Sequence, residues 1–156
     1  MAWTDSRVFR PMVADMFGNV AAFDLDADSI KAALYGNSGT PNNDVTSANS
    51  AYAVDQWVVG NEVSQAVQWP AGGVALTGQT VNSGTADVVF FDANDTASGS
   101  SATLSGVFGT LVYDDTLAAP VADQGLSYNY FGGSNSVVAG VFTVIWHANG
   151  IIRATL

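Results

Sequence analysis

Carboxylates are the one chemistry-bearing side chain that this sequence supplies in number: fourteen Asp and Glu against one His and no Cys. Without cysteine, disulfides, zinc ribbons, iron–sulfur clusters and thiol nucleophiles are excluded. Asp24, Asp26 and Asp28 alternate as ligands do in the first half of a calcium loop. Ser29 stands where such a loop needs glycine, and Tyr35 stands where it needs its closing Glu. Asp92, Asn94, Asp95 and Thr96 form a second acidic turn. At both places the competing reading is an Asx turn, in which Asp and Asn side chains bond nearby backbone. Asp92/Asp95 and Asp114/Asp115 are the carboxylate pairs a glycosidase could use, although Asp114-Asp115-Thr116 reads better as a loop after a strand.

Nucleophilic chemistry has no motif. The sequence lacks G-x-S-x-G, S-x-x-K, a P-loop and G-x-G-x-x-G. His147, the only histidine, opens the turn His147-Ala148-Asn149-Gly150 and reads as a polar turn residue. One histidine without cysteine does not build a transition-metal site. No cofactor and no catalysis are expected. Sugar binding would rest on tryptophan. Trp146 sits in an apolar run and belongs to the core, whereas Trp57 and Trp69 have turn-rich surroundings and are the candidates for exposure.

The net charge is −10, yet only 12% of residues are charged, about half the usual share of roughly 25%. Three arginines and one lysine cannot neutralise a phosphate track, so nucleic acid is not an expected partner. A membrane is not expected either. The best apolar run, Val137 to Trp146, is far short of the about 20 residues a helical span needs, and Met1 to Arg7 is too polar for a signal peptide. A monomer of this size should expose about 7,400 Å². With so few ions, much of that surface must be Ser, Thr, Asn, Gly, Ala and backbone. Such a surface can be covered by a partner with little loss of ion hydration, which suits an assembling protein. The N-terminal segment is the least acidic part of the chain. Trp3, Arg7 and Arg10 are the candidate partner-contact residues.

These groups must be positioned by a mainly β scaffold. Val8, Phe9, Met12, Val13, Met16 and Phe17 recur at helical spacing, with Pro11 suited to a first turn and Gly18-Asn19 as a stop. That helix either docks on a partner or packs on its own sheet. A short helix is expected near 48–54. Strands are expected at Ile30–Tyr35, Glu62–Val67, Val74–Leu76, Gln79–Val81, Ala86–Phe91, Thr103–Tyr113, Gly125–Phe131, Ala139–Trp146 and Ile151–Thr155, with turns at Gly72-Gly73 and Gly132-Gly133. Asn149-Gly150 between apolar runs predicts that the last two strands form a hairpin. Short strands with regular turns predict an antiparallel β-sandwich or barrel with one short N-terminal helix. The predicted organisation is one domain over 1–156, with an arm and helix over 1–20 and the sandwich or barrel over 21–156.

Four segments carry a family resemblance. They are Phe23–Leu34; Gly60–Ser64 with Trp69–Val81; Val88–Asp95 with Gly109–Asp115; and Gly140–Ile152. In this order they resemble small structural proteins of tailed bacteriophages, of the kind that decorate heads. The resemblance covers nearly the whole chain and consists of strand and turn patterns rather than a catalytic signature. It implies a virion protein, most simply a capsid decoration (cement) protein, made in the host cytoplasm and bound to the capsid exterior. The implied partners are the major capsid protein and further copies of the chain, with a trimer as the form that suits a local three-fold axis. A tail or fibre-tip component is the alternative within the virion; a tail-tube subunit would need strands longer than those expected here. A carbohydrate-binding module is the alternative outside it.

Overall fold

The computed structural model describes residues 3–85 and 87–156. In chain order the elements are β1 (Arg7–Val8), α1 (Arg10–Phe17), β2 (Ile30–Tyr35), α2 (Ser47–Ser50), β3 (Val74–Ala75), β4 (Thr80–Thr85), β5 (Val88–Asp92), β6 (Thr96–Ala97), β7 (Ala102–Asp114), β8 (Gly125–Gly140), β9 (Thr143–Val144) and β10 (Ile152–Thr155). Two 3-10 turns, Asp55–Trp57 and Val59–Asn61, lie between α2 and β3. The fold is mainly β, and its strand pairings are antiparallel. The sheets are open rows, β1-β8-β7-β2-β3, β10-β5-β4 and β6-β9.

β2 sits between β7 and β3. Its Ile30 and Ala32 to Tyr35 are all buried, the signature of a strand covered on both faces. Leu111, Val112 and Tyr113 of β7 and Leu126 and Tyr128 of β8 join it in one hydrophobic cluster with Trp3, Phe9, Met12, Trp57 and Trp69. Each such apolar side chain contributes about 1.5–3 kcal/mol on burial. Two glycines permit close packing. A Cβ on Gly73 (φ 81°) would stand 2.1 Å from the Ala32 carbonyl oxygen, and one on Gly109 would stand 2.4 Å from the Trp3 ring.

Several expectations are corrected. β7 and β8 are 13 and 16 residues long, not short. Gly106 and Gly132, both at positive φ, lie inside the strands rather than ending them. The ladder shifts register between Leu104 and Val107 and again before Gly109. These are bulges, which bend a strand without stopping it. The expected strand over 62–67 is a tight reversal: Gln65 and Trp69 exchange both backbone hydrogen bonds, at 2.8 and 3.0 Å, around Val67 at φ 75°. The short helix is Ser47–Ser50, and of the strand expected from Ala86, position 86 lies outside the described residues.

The terminal hairpin does not form as expected either. Asn149-Gly150 does make a turn, with the Gly150 amide donating to His147 O at 2.8 Å. The strands on either side then diverge. β9 pairs with β6, and β10 pairs with β5 in the register Ile152↔Phe91 to Thr155↔Val88. Side-chain anchoring accounts for the split. The Trp146 amide donates to Asp95 Oδ1 and its indole N–H to Thr96 Oγ1, both at 3.1 Å, so the chain before the turn is fastened to β6.

Candidate partner-contact surface

The N-terminal arm enters the core before α1 begins. Trp3 is 3% exposed. Its indole N–H donates to Gly36 O at 2.9 Å, and its ring meets Trp57 and Tyr128 edge-on and stacks on Tyr130. Trp3 is therefore corrected from a contact residue to a core residue. An early aromatic in a polar stretch gave no sign of burial, because the residues that cover it come from β7, β8 and the 55–57 turn. Arg7 and Arg10 do lie at the surface. Each is held by a neighbouring acid: Arg7 Nε to Asp5 Oδ2 and Arg10 to Asp44 Oδ1, both at 2.7 Å. The hydrogen bond and charge of Asp5 raise the Arg7 pKa further, so the guanidinium is permanently charged. Exposed pairs of this kind add about 0–1 kcal/mol and can be exchanged for a partner's carboxylate at small cost.

α1 starts where the chain leaves β1. The Phe9 amide donates to Leu126 O at 3.0 Å and the Arg10 amide to Asn43 O at 3.1 Å, so two amides at the helix start are satisfied by other segments. Pro11 stands in the first turn, where its missing N–H costs nothing. Phe9 and Met12 are buried and lock the helix to the core. Val13, Met16 and Phe17 are exposed at 36%, 45% and 87%. The single apolar face expected from the sequence is thus divided, one half packed inward and the other open.

The open half borders a groove of about 460 Å³ between α1 and the β4–β5–β10 sheet. It is lined by Met16 and Phe17 from α1, Phe23 and Leu25 from the segment after it, and Val81 and Phe90 from the sheet. Asp24 and Asp26 also line it. Val20, 56% exposed, follows α1 directly. The sequence signal for this groove lay in the helical spacing of Val13, Met16 and Phe17. The strand residues opposite could not be assigned to it without the β5–β10 pairing.

The acidic turns are structural in their local bonding. Asp28 Oδ2 accepts from the Asp24 amide at 2.9 Å, and the Ala27 and Asp28 amides donate back to Asp24 O. A hydrogen bond with Asp26 and partial desolvation raise the Asp24 pKa. Among the described residues, no group of three or more His, Cys, Asp or Glu is placed to hold a metal ion. Asp95 is engaged with the Trp146 amide. Asp114, fully buried, accepts at Oδ1 from the Thr116 and Leu117 amides at 2.9 and 3.0 Å. Its Oδ2 is buried without a hydrogen-bond partner, and the Asp28 carboxylate is close enough to raise the Asp114 pKa. Two carboxylates can bond each other only if one holds a proton. Burial pushes the Asp114 pKa up to about 6, the two amides oppose this, and the Asp28 charge adds to it.

The tryptophans expected to be open are not. Trp57 and Trp69 are 1% and 0% exposed; the Trp69 indole N–H donates to Ala32 O at 3.1 Å. This removes the support for a sugar platform at those rings. Trp146 is buried, as expected of a core residue. His147 is exposed, and its Nδ1 accepts from the Asn149 amide at 3.1 Å, a turn role. No helix among the described residues is long and apolar enough to cross a membrane. Comparison with family models, with curated proteins and with solved structures gave no match.

Proposed function

We propose that this chain is a bacteriophage capsid decoration protein, a homo-oligomer that binds the outer surface of the assembled major capsid shell and stabilises it. The observation that carries the reading is the apolar groove beside α1, with Met16 and Phe17 open to solvent on a protein that exposes few charges. A stable contact needs an apolar centre with a polar rim, and aromatic and Met side chains are the usual anchors. The groove has that composition, with Asp24 and Asp26 among its otherwise apolar lining residues. A charge of −10 keeps the protein soluble and opposes unspecific association, while a contact over the charge-poor surface strips few ions of water. The resemblance to small head proteins supports the same reading. In fold terms the proposed form is a β-sandwich, supported by the membership of Phe91 from the β4–β5–β10 sheet in the same hydrophobic cluster as Ile30 and Leu111 of the larger sheet.

One observation favours the tail alternative. β7 and β8 have the length that a tube-lining sheet requires, where short strands were expected. Co-sedimentation with purified heads lacking this protein, with isolated tails alongside, tests both. Saturable binding to heads supports decoration. Binding to tails alone transfers the protein to the tail, and binding to neither removes the virion reading.

A further inference from the structure

The outer side of β8 is open over most of its length. β7 pairs with one side of β8 from Tyr113↔Gly125 to Gly109↔Tyr130 and again from Val107↔Asn135 to Ala102↔Gly140, with 131–134 bulged between the two stretches, whereas β1 covers the other side only at Ser127 and Tyr128. The Tyr130 amide then donates to Ser6 Oγ at 2.9 Å. Beyond it, among the described residues, no backbone hydrogen bond joins the outer edge of 131–140 to another segment. A Cβ built on Gly132 or Gly133 would meet nothing within 4 Å. The exposure alternates along the strand, with Ser134, Ser136 and Val138 exposed and Asn135 and Val137 half-buried, as in a sheet edge with one face against the protein.

Natural edges are blunted with charge, proline, brevity or bulges. This one is bulged at 131–134, but all sixteen residues of β8 lack a charge and a proline. The rest of the chain carries −10, so two copies can approach closely without like-charge repulsion only over a neutral surface such as this. The other sheet edges do not match it. β1 and β3 are two residues each, β4 is six residues, and β10 is four residues with Arg153 among them. The partner edge of equal length is another β8. We propose that residues 131–140 of β8 form a seam along which two copies of this chain join, antiparallel and edge to edge, making one continuous sheet through a two-fold axis.

The seam does not rest on the capsid reading. The test is sedimentation equilibrium of the purified protein over a wide concentration range. Ser134→Glu/Val138→Glu is run alongside, with Ser134→Lys/Val138→Lys, each checked for folding by circular dichroism. Both positions are exposed, and like charges facing across paired strands are destabilising. The expected result is a dimer for the native chain, dissociation about tenfold easier in each double variant, and recovery of dimer when the two variants are mixed. Hydrogen exchange at 131–140 should slow as the native chain dimerises. A monomer at every concentration, a trimer, or a dimer indifferent to these substitutions overturns the seam. A trimer that still saturates phage heads would overturn the seam alone, and a monomer that does so would overturn the seam and the homo-oligomer while leaving capsid binding. A dimer that ignores heads and tails would overturn the virion reading alone.

Discussion

The indole of Trp3 stacks on Tyr130 with ring centroids 6.4 Å apart, and its N–H donates to Gly36 O at 2.9 Å. One side chain thereby joins the N-terminal arm to β8 and to the end of β2. Trp3→Ala should cost about 3–5 kcal/mol, read as a lower urea midpoint with an unchanged slope. A change below about 1 kcal/mol would contradict the packing. Gly109→Ala should also destabilise, because the added methyl must displace the Trp3 ring or the Asn129 carbonyl, which stands equally close.

Asp114 makes stability depend on pH in a definite direction. Its folded pKa of about 6 lies above the ordinary 3.8, so the folded state holds this proton more tightly than the unfolded chain. The resulting stabilisation is fully present below about pH 3.8 and is lost as pH rises through about 6, a swing of about 3 kcal/mol at most. Asp114→Asn keeps an oxygen for the Thr116 and Leu117 amides and supplies a donor towards Asp28. The variant should be more stable than the native chain at pH 7, with the difference shrinking as pH falls to 4. Urea titrations across that range read it. A difference that is constant with pH would contradict the account.

Met16 and Phe17 should matter for binding rather than folding. Both are exposed, so Met16→Ser/Phe17→Ser should leave stability within about 1 kcal/mol. The same variant should bind phage heads weakly or not at all, since apolar anchors at the centre of a contact each cost about 2 kcal/mol or more when removed. Thermal unfolding and head co-sedimentation on one preparation separate the two effects.

The Arg10–Asp44 pair is exposed on both sides. Arg10→Ala should therefore change stability by no more than about 0.5 kcal/mol. If Arg10 meets an acidic capsid surface, the variant should bind heads with a weaker dependence on salt than the native chain. An unchanged salt dependence would remove Arg10 from the contact.

The local signals in the sequence were legible where one segment decides its own structure. Pro11 and the spacing of Met12, Val13 and Met16 mark α1, and the apolar run Ile30–Tyr35 marks β2 with its observed ends. Legibility failed where a distant segment decides. Asn149-Gly150 makes its turn, but Phe91 and Asp95 determine which strands flank it. Gly132-Gly133 has turn chemistry, yet it makes only a bulge inside β8, because pairing with β7 resumes at Val107↔Asn135. Trp3, Trp57 and Trp69 look free in sequence and are covered by residues remote from them. The apolar groove was half legible: α1 announced its apolar stripe, while Val81 and Phe90 joined it only through the fold of the β4–β5–β10 sheet.

The central claim is tested most directly by the stoichiometry of binding to assembled shells. Purified protein is titrated onto heads that lack it, and bound copies are counted against the major capsid subunit. The expected result is saturation at a fixed ratio, lost in Met16→Ser/Phe17→Ser and absent with unassembled capsid protein. Binding that rises without saturation, or that the unassembled subunit takes up equally well, would contradict decoration of the assembled shell.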